Sequence, residues 1–294
     1  MPSRALFLVN PRARRGSEGA KEIAARLRGL GLNLIVEETD GAARFPERIR
    51  RHAGEVDRVI VGGGDGTLNT AVQVLVELGL PLGIVPLGTA NNLARTLDIP
   101  LDVERATRVI AEGRRRRIDL GRVNDRYFCT TASLGLSVQI TEELSGDAKR
   151  KWGPLAYVLA ATRVLRRARP FHADVAWHGG TRHTRTVQIV VGNGRYYGAA
   201  LAVAKDATID DARLDLYSLE SDHWWDLLKL APALKRGTHV ERPEVEALRA
   251  RAFTVRTRAP MPIDVDGELG AETPAEFRVV PGALEVFVPV NSKE

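Results

Sequence analysis

The chain contains one cysteine, Cys129, among 294 residues, which excludes internal disulfides and zinc sites built on cysteine. Long apolar runs are also missing. The longest, such as residues 155–165 with Arg163 inside it, fall well short of the roughly 20 residues that a membrane-spanning helix needs. The opening stretch MPSRALFLVNPRARRG carries no extended apolar segment, so no secretory signal is expected and a cytoplasmic setting is the default. Aromatic residues make up only 5% of the chain. They are not interleaved with the basic residues into a stacking platform, so nucleic acid is not an expected partner. Six histidines (His52, His172, His178, His183, His223 and His239) show no metal-ligand spacing. Neither a GxxxxGK[ST] phosphate loop nor a GxSxG nucleophile element occurs.

What the chain does have is positive charge. Its 43 basic and 37 acidic side chains leave a formal +6, and 36 of the basic residues are arginine, whose planar fork suits phosphate and carboxylate. A hydrophobic content of 44% supplies a packed interior, and the length fits one large or two medium domains.

The first 120 residues alternate between β-rich runs (5–9, 32–37, 58–61 and 82–85) and helical patterns (21–30, 68–78 and 102–112). That alternation implies an α/β layer with a parallel sheet. Beyond about residue 120, turn signals become frequent: Asn124-Asp125, Gly179-Gly180, Asp266-Gly267 and Pro281-Gly282 sit between alternating apolar runs. Strands are expected over 183–191, around the lone Cys129 and over 284–288, and helices over 153–167 and 223–236. A second, mostly antiparallel β domain is the simplest account.

The strongest chemical signal is VIVGGGDGTLNTAVQVL, residues 59–75. A strand runs into Gly62, Gly63, Gly64 and Gly66, and an amphipathic helix is expected to start near Thr67. Glycines let backbone N–H groups approach a phosphate, and a helix N-terminus adds partial positive charge. Asp65 can cap the helix or reach a magnesium ion. A second loop of similar build, PLGTANNLA at residues 86–94, offers Gly88 and Thr89 as donors, with Asn91 and Asn92 placed to fix its shape. Two such loops at the carboxyl ends of one parallel sheet converge where ligands bind. Read only as turns, both loops would be capped strand-to-helix connections.

GGGDGTLN followed by PLGTANNLA resembles the lipid kinase family that includes diacylglycerol kinase catalytic domains, sphingosine kinases and bacterial soluble lipid kinases. The likeness continues in family order through Asn10-Pro11, IDLGRVNDRYF (118–128), VVGNGRYYG (190–198), DATIDDARLD (206–215) and DVDGELG (264–270). It implies a three-layer α/β nucleotide-binding domain over residues 1–121, like that of NAD kinases and phosphofructokinases. A β-sandwich-like lipid-substrate domain would cover 122–294, its last strand able to return to the first. The implied ATP contacts are Asn10, Thr39, Gly62, Gly63, Gly64, Asp65, Gly66, Thr67, Leu68, Asn69, Gly88, Thr89 and Asn92. The implied catalytic groups are Asp65 with Asp266 or Glu268, one of the last two serving as base. Catalytic magnesium would rest on Asp65 supported by Asp119. A structural magnesium would take Asp211 with the carbonyls of Thr208 and Arg213.

Three departures stand against this pattern. Asn92 replaces a common aspartate, Gly198-Ala199-Ala200 replaces a glycine-rich triplet, and Ala212 occupies a turn position usually held by glycine. The segments 152–171 and 223–236 combine Trp and Leu with basic residues, as a peripheral helix on anionic lipid would, although packing onto the β domain explains the same stripe. The expectation is a peripherally membrane-associated, ATP- and magnesium-dependent lipid kinase acting on a lipid alcohol. An NAD kinase-like enzyme and a non-catalytic nucleotide- or membrane-binding protein are the alternatives, and the oligomeric state, a homodimer included, is open.

Overall fold

Apolar runs near the start of the chain become strands buried on both faces. In the computed structural model, residues 4–10, 19–143, 169–194, 196–197, 201–202, 208–220 and 245–290 are described. Among them lie two compact units. One comprises the residues up to Leu120 together with those from Val280 onward, and the other those from Gly121 to Val279.

The first unit contains β1 (Arg4–Val9), α1 (Ala20–Gly29), β2 (Asn33–Glu38), α2 (Phe45–His52), β3 (Arg58–Gly63), α3 (Asp65–Leu78), β4 (Leu82–Pro86), α4 (Asn92–Thr96), α5 (Val103–Glu112) and most of β5 (Arg114–Val123). On β1, Ala5, Phe7 and Val9 pack with Ile23, Ala24 and Leu27 of α1 and with Val103 and Ile110 of α5. The alternate residues Leu6 and Leu8 are equally buried, so the sheet is covered on both sides, as parallel sheets require. Helix α3 forms because Leu68, Ala71, Val72 and Leu75 share one buried stripe, and it stops at Gly79, whose left-handed conformation (φ 66°) suits glycine. Asp102 caps α5, its side chain accepting the Arg105 N–H at 2.9 Å, a contact worth about 1 kcal/mol.

The second unit holds β6 (Arg126–Phe128), β7 (Thr131–Gly135), α6 (Leu136–Glu143), β8 (Phe171–Trp177), β9 (Gly180–Thr186), β10 (Gln188–Gly192), β11 (Tyr196–Tyr197), β12 (Leu201–Ala202), β13 (Leu214–Leu219), β14 (Val245–Ala250), β15 (Ala252–Thr257), β16 (Pro262–Val265), β17 (Glu268–Glu272) and the first part of β18 (Ala275–Val288). One sheet runs β14-β13-β10-β7-β16-β17. The β8, β9 and β15 strands pair antiparallel with one another and with the start of β18. Leu134, Ile189, Leu216 and Val265 of the first sheet meet Val175, Phe253, Val255 and Phe277 of the second in one core. Every second residue therefore points inward, the pattern of two packed sheets.

Three local expectations need correction. Pro281 and Gly282 do not link two strands; they lie inside β18, with Gly282 at φ 58°. There β18 changes partner, from β15 through Ala275–Arg278 to β4 at Val286, and proline's missing N–H is tolerated where the ladder is interrupted. The strand expected over 183–191 is two strands, β9 and β10. At the break the Thr186 hydroxyl bonds the carbonyls of Gln188 and Leu219 at 2.9 and 2.8 Å, and burial changes from alternating along β9 to continuous along β10. Cys129 lies between β6 and β7 rather than in a strand. The helices expected over 153–167 and 223–236 lie outside the described residues. Among those described, no helix is long and apolar enough to cross a membrane.

Candidate functional site

In the first unit the strand order β2-β1-β3-β4-β18 is parallel throughout. The chain leaves β1 toward β2 on one side, and β3 and β4 lie on the other. The switch point therefore falls between β1 and β3, where open α/β sheets bind ligands at the carboxyl ends of their strands. Asn10 follows β1 there, and residues 62–69 follow β3. The Asn10 N–H bonds the Gly62 carbonyl at 2.9 Å, and its side-chain amide donates to the Thr67 hydroxyl at 2.9 Å.

The second loop docks directly onto the first. A Cβ placed on Gly88 would lie 2.5 Å from the Gly64 Cα, and one on Gly64 would lie 3.1 Å from the Gly88 Cα. Only glycine at both positions allows this approach. The Leu87 N–H donates to the Gly63 carbonyl at 2.9 Å. Asn91, at φ 50°, closes the loop by accepting the Gly88 N–H at 2.9 Å and donating to the Gly88 carbonyl at 3.0 Å.

Asp65 joins the two loops. Although it opens α3, its Oδ1 accepts the Leu93 N–H of α4 at 3.2 Å. Burial pushes its carboxyl above the usual aspartate range, against the pull of the backbone N–H groups of Asn92, Leu93 and Asn91. The N-cap of α3 is Gly64, which offers no side-chain cap. The first-turn N–H groups of this 14-residue helix therefore lack that usual acceptor, an arrangement suited to an anion. Two further polar atoms at this edge are buried without a partner among the described residues: Nδ2 of Asn69 and Oγ1 of Thr39. Asn69 is held in place by Gln73, which donates to its Oδ1 at 3.2 Å. Thr89 is exposed on its loop, whereas Asn92 and Leu68 are buried.

Asp266 and Glu268 belong to the second unit. Asp266 (φ 51°) and Gly267 (φ 94°) form a two-residue hairpin turn with positive φ at both positions, the type I′ geometry that Asp-Gly favours, and Glu268 follows it as the first residue of β17. Buried Asp264 steadies the turn by accepting the Gly267 N–H at 2.8 Å. The two acids then diverge. Asp266 accepts the N–H of Cys129 on Oδ2 at 2.7 Å and, on Oδ1, the N–H groups of Thr130 and Thr131 at 2.9 and 3.0 Å and the Thr130 hydroxyl at 2.6 Å. Burial pushes this carboxyl up, while the Thr130 hydroxyl and the three backbone donors pull it down. Glu268 is 52% exposed, and its Oε2 lies 3.2 Å from Arg126. A Cβ on Gly270 would come within 2.4 Å of that guanidinium, so Arg126 lies across a notch that glycine leaves open.

Asn193 supports the segment that holds Asp266, donating its N–H to the Thr130 carbonyl at 2.8 Å and its amide to the Cys129 carbonyl at 3.1 Å. Nothing local in the sequence marks Arg126 or Thr130, because their partners lie more than 130 positions away, a spacing that no local pattern encodes. Asp119 is buried on β5 and accepts the Gly282 N–H of β18 at 2.8 Å. At the other nominated metal turn, the Asp211 carboxylate accepts the Arg213 N–H at 3.0 Å and Ala212 sits at φ 55°. Thr208 and Arg213 are exposed there. No group of three or more His, Cys, Asp or Glu side chains poised for a metal occurs among the described residues.

Residues 4–123 match the model of the diacylglycerol kinase catalytic domain, and residues 130–288 that of the YegS C-terminal NAD kinase beta sandwich-like domain. A protein named diacylglycerol kinase from Mycobacterium tuberculosis is 32% identical over 96% of this chain and 94% of its own. One of the same name from Staphylococcus carnosus is 28% identical over 100% and 97%. The crystal structure of a diacylglycerol kinase from Bacillus anthracis shares the fold at a TM-score of 0.81, with 23% identity over 97% of each chain. With a loop pair at the sheet's switch point in one unit, an acidic hairpin in the other, and relatives matched along nearly their whole length, this chain belongs to the diacylglycerol kinase family of lipid kinases.

Proposed function

We propose that the chain transfers the γ-phosphate of ATP to the hydroxyl of a diacylglycerol-like lipid alcohol, with magnesium. The observation that carries this reading is the uncapped start of α3 held against the Gly88 loop at the switch point. Its N–H groups supply a phosphate cradle that needs no lysine, and Asn69 Nδ2 and Thr39 Oγ1, without a partner among the described residues, are further donors for a bound nucleotide.

The hard oxygen donors fit magnesium, which when bound neutralises charge on the phosphate oxygens. With no larger acidic cluster among the described residues, Asp65 is the carboxylate assigned to it, supported by Asp119. Asp211, with the carbonyls of Thr208 and Arg213, offers the same kind of oxygens for a structural ion.

Of the two acids in the hairpin, Glu268 is assigned as the base. Both oxygens of Asp266 already accept hydrogen bonds, so its role is to fix the turn. Glu268 is exposed, and Arg126 orients it. Its carboxylate accepts the lipid hydroxyl proton as the new oxygen–phosphorus bond forms and the bond from the γ-phosphorus to ADP breaks. The net +6 favours peripheral contact with an anionic membrane, where such a substrate resides. Incubation with ATP, magnesium and a panel of acceptors, lipid alcohols against NAD, tests the assignment. Phosphorylated lipid is the expected product, and phosphorylated NAD in its place would overturn the reading.

A further inference from the structure

On the second unit, the face of β15, β8 and β9 turned away from the core carries a pocket of about 300 Å³ lined by Arg256, Arg258, His172, Asp174 and His183 among others. Val255 and Val175 of the same strands point into the core, and the five lining residues named are exposed. Asp174 stands opposite Arg256 on one side and His183 on the other. Its Oδ1 is taken by His183 Nδ1 at 2.5 Å. One oxygen of the only carboxylate among the described lining residues is therefore engaged, and Arg256 and Arg258 have no counter-ion among the described residues.

We propose that this pocket is a binding site for a phosphate group. Arg256 lies on β15 and Arg258 just past its end, and both line this one pocket, so both guanidinium forks can reach one anion, and His172 adds a further ring nitrogen. Phosphate, with three or more acceptor oxygens and a higher charge, can take both forks bidentately at once, whereas a carboxylate must share two oxygens between them. The chemistry suits either a phospholipid headgroup or a soluble phosphate monoester.

The test uses the full chain without ATP, which separates its result from phosphate transfer. R256Q/R258Q is compared with R28Q/R105Q, which removes the same charge from α1 and α5; thermal melts establish that both fold. One arm measures flotation with phosphatidylcholine vesicles with and without phosphatidate, and the other titrates inorganic phosphate and glycerol 3-phosphate by calorimetry. Removing two basic side chains from a lipid contact is expected to weaken vesicle binding roughly 25-fold, at about 1 kcal/mol each, with R28Q/R105Q close to the parent. Loss confined to the vesicle arm identifies a lipid headgroup, and loss in the soluble arm as well identifies a free monoester. Equal losses in the two double variants, or no binding by the parent in either arm, would overturn the proposal.

Discussion

Gly64 and Gly88 touch backbone to backbone, so that a methyl group on Gly88 would fall 2.5 Å from the Gly64 Cα. Gly88→Ala must therefore part the two loops. The expected outcome is a stability loss of about 1–3 kcal/mol and an increase in KM for ATP of about tenfold or more, since loop geometry rather than a charged side chain makes the phosphate cradle. ATP titration alongside a denaturant melt checks both. An unchanged KM would mean that the loop contact is unrelated to nucleotide binding.

Asp65 sets a pH dependence whose sign follows from burial. Its folded-state pKa is raised, so the stability associated with its protonated form is present at acid pH and is lost as pH rises through the folded pKa. An asparagine does not titrate. Whatever offset Asp65→Asn introduces at pH 3, the difference in unfolding free energy between variant and parent is expected to move in the variant's favour on going toward pH 7. Melts across that range read the slope directly, and a flat or opposite slope would contradict the assignment.

Asp266 and Glu268 are expected to fail in different ways. In Asp266→Asn the amide must set its NH2 against a backbone donor, most directly that of Cys129, costing on the order of 1–3 kcal/mol. Glu268→Gln changes an exposed side chain and should leave stability within about 0.5 kcal/mol while turnover collapses. Paired melts and rate measurements distinguish the clamp from the base.

Ala212 is held at φ 55°, a left-handed conformation costing a residue with a Cβ about 1–2 kcal/mol. Ala212→Gly removes that strain but frees the unfolded chain, which offsets about 0.4–1 kcal/mol. A net gain near 0.5–1 kcal/mol is expected by denaturant unfolding, and a net loss would show that the Ala212 methyl makes compensating contacts.

Much of the first unit was legible because its cues are local. The β3 run ends in glycines, α3 has a single apolar stripe, and the Asn91-Asn92 pair marks a loop that needs fixing. Helix α3 starts at Asp65, two residues before the expected Thr67, since Asp65 looks like a cap but reaches across to Leu93. In the second unit, turn signals between alternating runs point to a mostly antiparallel β domain but not to the sheet change at Val187 or the partner change near Gly282. The roles of Asp266 and Glu268 could not be separated in DVDGE, because what distinguishes them is the Cys129–Thr131 segment for one and Arg126 for the other. Those contacts exist only once distant strands pair.

The central claim is most directly tested by following label from the γ-phosphate of ATP into diacylglycerol in mixed micelles, for the parent and for Glu268→Gln. The account expects labelled phosphatidate from the parent and a rate about 10²- to 10⁴-fold lower from the variant, the usual contribution of a general base. No label in lipid from the parent, or parental transfer rates from Glu268→Gln, would contradict it.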